Sequence, residues 1–490
     1  MSRKKILLVL ILLFITAGIW TWVILKTRMK PLIRYQPDKA PVHIERVILI
    51  TIDTLRADHL GVYGYPRPTS PFIDSLAPKS IVFQKAFCSI SSTAPSHASI
   101  MTSLHPLTHK VLKNGHKLDK SFLTLAEVFQ EIKFKTAAFA STSTHFKAGN
   151  IDQGFSTFNE PSKKSSGHRR PADQTADQTI QWLKERNPSD AFFLWVHFFD
   201  PHDPYIPVLE YRKALAFPSD RARQAYIRFL KEEHHVDPAF YKNDDQMVDI
   251  IEQYDAEVLF VDHQIRRLYE FMAKKGLNEH TLWIITADHG EGLGNHRWAG
   301  HSKHIYNEQV RVPLLFHFTD QVPAQGSRWE GIVEQVDIMP TLLDLFGCSI
   351  ERYPYRIHGT SFASLLLNDG KGFPQKYAFS QRRHYSLEKR PEQIVPEETN
   401  YEEGEKYCLQ DLRYKYILRT TGEHEFYNVH DDPYETKNII QSTLPERNQM
   451  KQMKQLLSAM IEQFKQGSKL TPKSVNKETV EKLKSLGYVQ

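Results

Sequence analysis

Cysteine is scarce: Cys88, Cys348 and Cys408 are the only three in 490 residues. At that spacing they make neither a disulfide framework nor a zinc cluster, and allow at most one intramolecular bridge. An excess of one charge is also missing, since 63 Lys and Arg stand against 57 Asp and Glu, a net +6. So weak and dispersed a balance argues against a nucleic-acid partner. No internal repeat or low-complexity tract is present. Long apolar runs are rare, with one exception at the N-terminus. Ile6 to Leu25 is twenty residues without a charge, preceded by "MSRKK" and carrying Trp20 and Trp22 near its far end. At ~1.5 Å per residue such a helix spans a bilayer core of ~30 Å. A cleaved signal peptide would have a shorter apolar region and small residues at its cleavage site, of which only Ala17-Gly18 is a trace. The expectation is one uncleaved transmembrane helix within residues 1–30, with the bulk of the chain periplasmic or at the cell surface. Basic residues flank the run on both sides, so charge does not set its orientation. Residues 31–44, with three prolines, read as a linker.

What is abundant is the buried-strand pattern. "RVILITID" (Arg46 to Asp53), "AFFLWVHFFDPH" (Ala191 to His202) and "TLWIITADHG" (Thr281 to Gly290) are continuous apolar runs closed by acids and histidines. Runs without alternation suit central strands covered by helices on both faces. In such sheets ligands gather beyond the carboxyl ends of the strands. One Asp closing one strand would be a turn cap. Three strands delivering Asp53, Asp200 with His202, and Asp288 with His289 to one edge point to a divalent metal.

The predicted fold is α/β, a buried sheet with helices on both faces over residues 45–370, followed by a smaller α+β unit over 371–490. Thr124 to Glu127 is a capping box opening a helix, and "FKTAAFAS" (Phe134 to Ser141) reads as a further strand. Asp245 to Lys275 reads as a long helix stopped by Gly276, with Asp262 and His263 as solvated or salt-bridged residues of its face. Residues 209–244 read as an irregular rim or lid. Asp411 to Val429 alternates around Thr421-Gly422 as a hairpin, and a polar helix follows from Pro445 to Gln466.

These motifs together resemble the sulfatases of the alkaline phosphatase superfamily. The matching stretches are "DTLRADHLGVYGY" (Asp53 to Tyr65), "TAPSHASIMTSLHP" (Thr93 to Pro106), "HFFDPHDPY" (His197 to Tyr205) and "TADHGEGLGNH" (Thr286 to His296). "GHSKHIYNEQVRVPLL" (Gly300 to Leu315), "EFYNVHDDPYETKNI" (Glu425 to Ile439) and the closing "LKSLGYV" follow in the family's order. The resemblance implies an alkaline-phosphatase-like, doubly wound α/β domain with a smaller C-terminal sheet, and metal-assisted cleavage of sulfate or phosphate esters. It also puts Thr93 at the nucleophile position. Sulfatases proper carry Cys or Ser there, with Arg where His97 stands, to direct conversion to formylglycine. Thr93 is not a substrate for that conversion, so no formylglycine is expected. Thr-x-Pro-Ser-His is similar to the nucleophile segment of nucleotide pyrophosphatase/phosphodiesterases. The His197 to Tyr205 segment is similar to one in phosphoethanolamine transferases.

The expected site follows. Asp53, Thr93, Asp288 and His289 hold a first metal (Zn, Mn, Ca or Mg), which activates the otherwise weak Thr93 hydroxyl. His202 and His301, with Asp200 a lesser candidate, complete a second site or bind the substrate's oxygens. Ser96, His97, His109 and Lys303 are candidate substrate contacts, and the helix N-terminus near Pro95 offers amides to an anion. Three functions stay open: an ester hydrolase, a transferase moving a phospho-head-group onto envelope lipid or glycan, and a silent metal-binding envelope protein.

Overall fold

The computed structural model describes residues 33–475 except 144, 162–168, 352, 368–372, 374–376, 386–403 and 444, together with Thr16 and Gly18. The rest of the expected anchor and the closing "LKSLGYV" lie outside the described residues. Among the described residues no helix is long and apolar enough to cross a membrane.

Eight strands form the central sheet: β1 (Arg46–Ile52), β2 (Ser80–Phe87), β3 (Lys135–Ala140), β4 (Thr157–Asn159), β5 (Phe192–Phe198), β6 (Thr281–Ala287), β7 (Arg311–Phe318) and β8 (Arg328–Glu334). Their order is β8-β2-β7-β6-β1-β5-β3-β4. Only β7 runs against the others. The three apolar runs are therefore the adjacent parallel strands β6, β1 and β5, buried along their whole length. Register puts Ile52 beside both Phe198 and Ala287. The next residues of all three strands thus leave the sheet at one edge.

Helices cover the strands. They are α1 (Thr93–Thr102), α2 (Leu125–Glu131), α3 (Ala172–Lys184), α4 (Asp244–Lys274) and α5 (Ile338–Leu345). α3 packs on α4, and α1 packs on α2 and α5. The Thr124 capping box is present, and Gly276 ends the region of α4 at φ +69°. A second, antiparallel sheet is built from β9 (Ala378–Tyr385), β10 (Gly404–Gln410), β11 (Lys415–Arg419) and β12 (Glu425–Tyr427), in that order. Phe379, Tyr407, Leu409 and Tyr416 on one of its faces pack against α6 (Glu446–Gln466). Cys408 and Ile417 on the other join the main core.

Three expectations are corrected. The region 209–244 is not irregular: it forms helices Leu209–Ala214 and Asp220–Glu232, the second burying Tyr226, Ile227 and Leu230. Part of the linker is ordered, with Ile33–Tyr35 pairing antiparallel to Cys348–Ile350. Asp262 is buried rather than solvated, and accepts the Phe72 and Ile73 amides at 2.9 and 2.8 Å. The packing of Pro71–Leu76 on α4 covers the helix face that the sequence pattern leaves exposed.

Candidate active site

Asp53, Thr93, Asp288 and His289 meet beyond the ends of β1 and β6, all of them fully buried. Thr93 opens α1, reached through the loop after β2. The Thr93 hydroxyl lies 3.4 Å from His289 Nε2. That nitrogen is 3.5 Å from Asp288 Oδ2 and 3.8 Å from Asp53 Oδ1. Tetrahedral donors ~2.0–2.2 Å from a zinc-type ion stand ~3.3–3.6 Å apart, so the spacing fits a cation. The chemistry of the oxygens agrees. Both carboxylate oxygens of Asp53, and Oδ2 of Asp288, are buried without a hydrogen-bond partner, a cost that a cation removes.

Local structure orients each donor. His289 Nδ1 donates to the Gly290 carbonyl at 2.9 Å, which leaves Nε2 with its lone pair facing Thr93. Burial pushes the His289 pKa down to about 4, so the ring is neutral, as a ligand must be. Asp288 Oδ1 accepts the amides of His289 at 2.8 Å and Thr54 at 3.2 Å. Thr54 adopts φ 57° to aim its amide there, a left-handed conformation that costs a β-branched residue ~1–2 kcal/mol. Tyr254 on α4 holds this turn by donating to the Thr54 carbonyl at 2.9 Å. Burial and the Asp288 charge lift the Asp53 pKa well above the carboxylate range. Against its own burial penalty, Asp288 is held down by His289, His97 and His197. The pair readily carries one negative charge, and a cation would permit two.

A second group adjoins the first. His202, Asp203 and His301 place a ligand atom each within 4.8 Å of one another. The His301 ring is 4.6 Å from His289 and 4.8 Å from His202. Burial pushes His202 down to about 3. It works against His301 too, but Glu291, 3.3 Å from its Nδ1, carries that ring above its ordinary value. Lys303, two residues after His301, is buried, its ammonium 5.1 Å from the Trp298 ring centre.

Other candidates are engaged within the protein. Ser96 Oγ donates to the Asp288 carbonyl at 2.6 Å and so braces a ligand. His97 donates from Nδ1 to the Thr93 carbonyl at 2.8 Å, and its Nε2 accepts from the Thr51 hydroxyl at 3.0 Å, whose oxygen in turn accepts from Trp195. His109 stands apart, accepting the Val111 amide at Nδ1 and pairing with Ser99 through Nε2. Asp200 interacts electrostatically with Glu257 and Arg169 and is not among the three residues of the His202 group. The amides at the start of α1 are largely taken: Ala94 donates to Asn114 Oδ1, Pro95 has none, and Ser96 donates to the Ser92 carbonyl. Sequence reasoning assigned no site role to Asp203, Glu291, Asn114 or His197, the last 3.5 Å from Asp53 Oδ2. Their nearness to the ligand-bearing stretches was the available signal.

The sulfatase family model matches residues 45–348, more than half of the chain. The chain belongs to the sulfatase family. A second model, N-sulphoglucosamine sulphohydrolase, C-terminal, matches residues 294–463. An arylsulfatase of Clostridium perfringens is 22% identical over 471 residues, covering 81% of this chain and 90% of that protein. A multifunctional alkaline phosphatase superfamily protein of Trinickia caryophylli is 23% identical, covering 81% and 91%. The phosphonate monoester hydrolase of Agrobacterium radiobacter superposes with a TM-score of 0.67 at 20% identity, covering 85% of this chain and 96% of that one.

Proposed function

We propose that this sulfatase-family protein is a metal-dependent hydrolase of sulfate or phosphate-type esters, with Thr93 as the nucleophile. The observation that carries the reading is the Thr93 hydroxyl 3.4 Å from His289 Nε2, beside carboxylate oxygens of Asp53 and Asp288 that lack partners. A divalent cation held by Asp53, Asp288 and His289 would lower the pKa of the Thr93 hydroxyl and offset charge on the ester. Thr93 Oγ attacks the sulfur or phosphorus and displaces the alcohol, leaving the group on Thr93. Water then releases it and restores the hydroxyl. His202, His301 and Lys303 face the ester's non-bridging oxygens, and Ser96 and His97 hold Asp288 and Thr93 in place. Water is assigned as acceptor because the similar proteins are named sulfatases and hydrolases. No formylglycine enters this scheme. Residues 6–25, free of charge, would tie the chain to a membrane with its catalytic domain outside the cytoplasm.

The test is turnover of an aryl sulfate, an aryl phosphodiester and an aryl phosphonate by the full chain. Thr93→Ala should lower kcat by roughly 10³-fold or more, and mass spectrometry should find the modified Thr93 peptide in the active protein. Turnover that survives Thr93→Ala would refute the mechanism.

A further inference from the structure

Four chain segments enclose a cavity of about 250 Å³. Asp58, Tyr63 and Gly64 come from the turns after β1, and Phe229, Glu233 and His234 from the end of the helix Asp220–Glu232 and the residues after it. Asn307 and Glu308 precede β7, Arg311 opens it, and Tyr434 follows β12. None of Asp53, Thr93, His202, Asp288, His289 or His301 lines the cavity. Glu233 and Gly64 are exposed, so solvent reaches it. Its walls are bonded to the catalytic loop all the same. The Glu308 carbonyl accepts the Glu291 amide at 3.0 Å. Arg56 donates to the Asp58 carboxylate at 2.9 and 2.8 Å and to the Glu291 carbonyl at 3.3 Å.

The lining is balanced in charge. Asp58 is paired with Arg56 at 2.8 Å and Glu308 with His296 at 3.0 Å. Glu233 and Arg311 remain, one of each sign. Arg311 donates from Nε to the Gln84 carbonyl at 3.1 Å, a bond that does not use its Nη groups. Glu308 Oε2 and His234 Nδ1 are buried without a hydrogen-bond partner. Rings supply the apolar part: His234 stands 4.4 Å from Phe229 and 5.6 Å from Tyr434. The Tyr434 hydroxyl donates to Asp58 Oδ2 at 3.4 Å, which fixes that ring. An anion here would meet the carboxylates of Asp58, Glu233 and Glu308, and a cation would meet Arg311. An uncharged ligand rich in hydroxyls meets neither penalty, since each hydroxyl both donates and accepts. The carbon face of a sugar ring suits an aromatic wall. The volume lies below the ~300–1,000 Å³ of sites for drug-sized molecules, which limits the occupant to about one ring.

We propose that this cavity binds a single uncharged sugar ring, apart from the ester under attack. The site goes beyond the ester-hydrolase reading and does not depend on it. Tyr434 and Phe229 take the carbon face of the ring, while Arg311, Glu233 and Glu308 hold its hydroxyls. Through Glu291, whose carboxylate lies 3.3 Å from His301 Nδ1, the site adjoins the catalytic group.

The experiment titrates the full chain by calorimetry with glucose, galactose and N-acetylglucosamine, and with maltotriose and chitotriose. At least one sugar should bind with a Kd of about 5 mM or below. A trisaccharide that binds no better than its monosaccharide marks a free sugar as the occupant, and a tighter one marks a residue of a glycan chain. Arg311→Gln should raise that Kd about tenfold, the worth of one charge-assisted hydrogen bond. Tyr434→Ala should raise it at least as much, and Tyr434→Phe, which keeps the ring, should stay within about threefold. If the buried variants do not fold, Glu233→Gln at its exposed position should still raise Kd about threefold. Calorimetry reads the site whether or not an aryl ester is turned over, so its failure and that of the ester-hydrolase reading are distinct. Absence of saturable binding by all five sugars, a Kd indifferent to these substitutions, or competition between the sugar and an aryl ester overturns the proposal.

Discussion

Removing divalent cations should loosen the fold where β1 and β6 end. Three buried carboxylate oxygens there, two on Asp53 and one on Asp288, lack hydrogen-bond partners. Each such atom costs ~1–3 kcal/mol when unsatisfied. A cation present at 100 times its Kd adds ~2.7 kcal/mol to stability. Unfolding entropy of ~2.1 cal/mol/K per residue amounts to ~1 kcal/mol per kelvin over 490 residues. Chelation should therefore lower the apparent Tm by ~3 °C. Asp53→Asn separates the two contributions. In chelator it removes the repulsion between Asp53 and Asp288, so its Tm should equal or exceed that of the wild type. With metal present, its ~3 °C response should vanish. Scanning calorimetry of the full chain in EDTA and in millimolar zinc, manganese, calcium or magnesium measures this, and the ranking identifies the cation. A wild-type Tm indifferent to all four ions, or an Asp53→Asn protein that keeps the full response, would refute the reasoning.

Two further outcomes concern residues outside the cleft. Asp262→Ala leaves the buried Ile73 amide and the Phe72 amide without an acceptor, and should cost ~2–3 kcal/mol; a Tm within 0.5 °C of wild type, about half a kcal/mol on this scale, would show that water replaces the carboxylate. His296 joins the catalytic loop to the smaller sheet: burial opposes its protonation, but Glu308 at 3.0 Å and the Glu435 carbonyl at 3.2 Å raise its pKa to about 9. A raised folded-state pKa gives stability that is complete below about pH 6.5 and is lost as the pH climbs through about 9. Wild type should lose Tm between about pH 6.5 and 9.5 more steeply than His296→Gln, and equal slopes in the two proteins would contradict the assignment.

Much of the scaffold was legible in the residues. β1, β5 and β6 announced themselves because strands buried on both faces need no alternation, and the acids and histidines after them are conspicuous beside such runs. The Thr124 cap and the hairpin around Gly422 were equally plain, since both depend on neighbours a few residues away. The partners of individual polar groups were not. Ser96 and His97 looked like substrate contacts, and only the packing of α1 against the sheet edge directs them to Asp288, Thr93 and Thr51. Asp262 looked solvated until Pro71–Leu76 covered it. The cavity beside Tyr434 arises only where four chain segments converge.

Residue pattern alone settled the three central strands, the helix capped by Thr124, most of α4 and the hairpin around Gly422, and that Asp and His follow the central strands, because periodicity and side-chain chemistry act locally. Tertiary structure alone decided which of those side chains share one buried point, which brace it and which serve the fold elsewhere. Hydrogen bonds and Coulomb forces act over a few ångströms in space, and residues as distant in the chain as Asp53 and Asp288 come that close only when adjacent strands align.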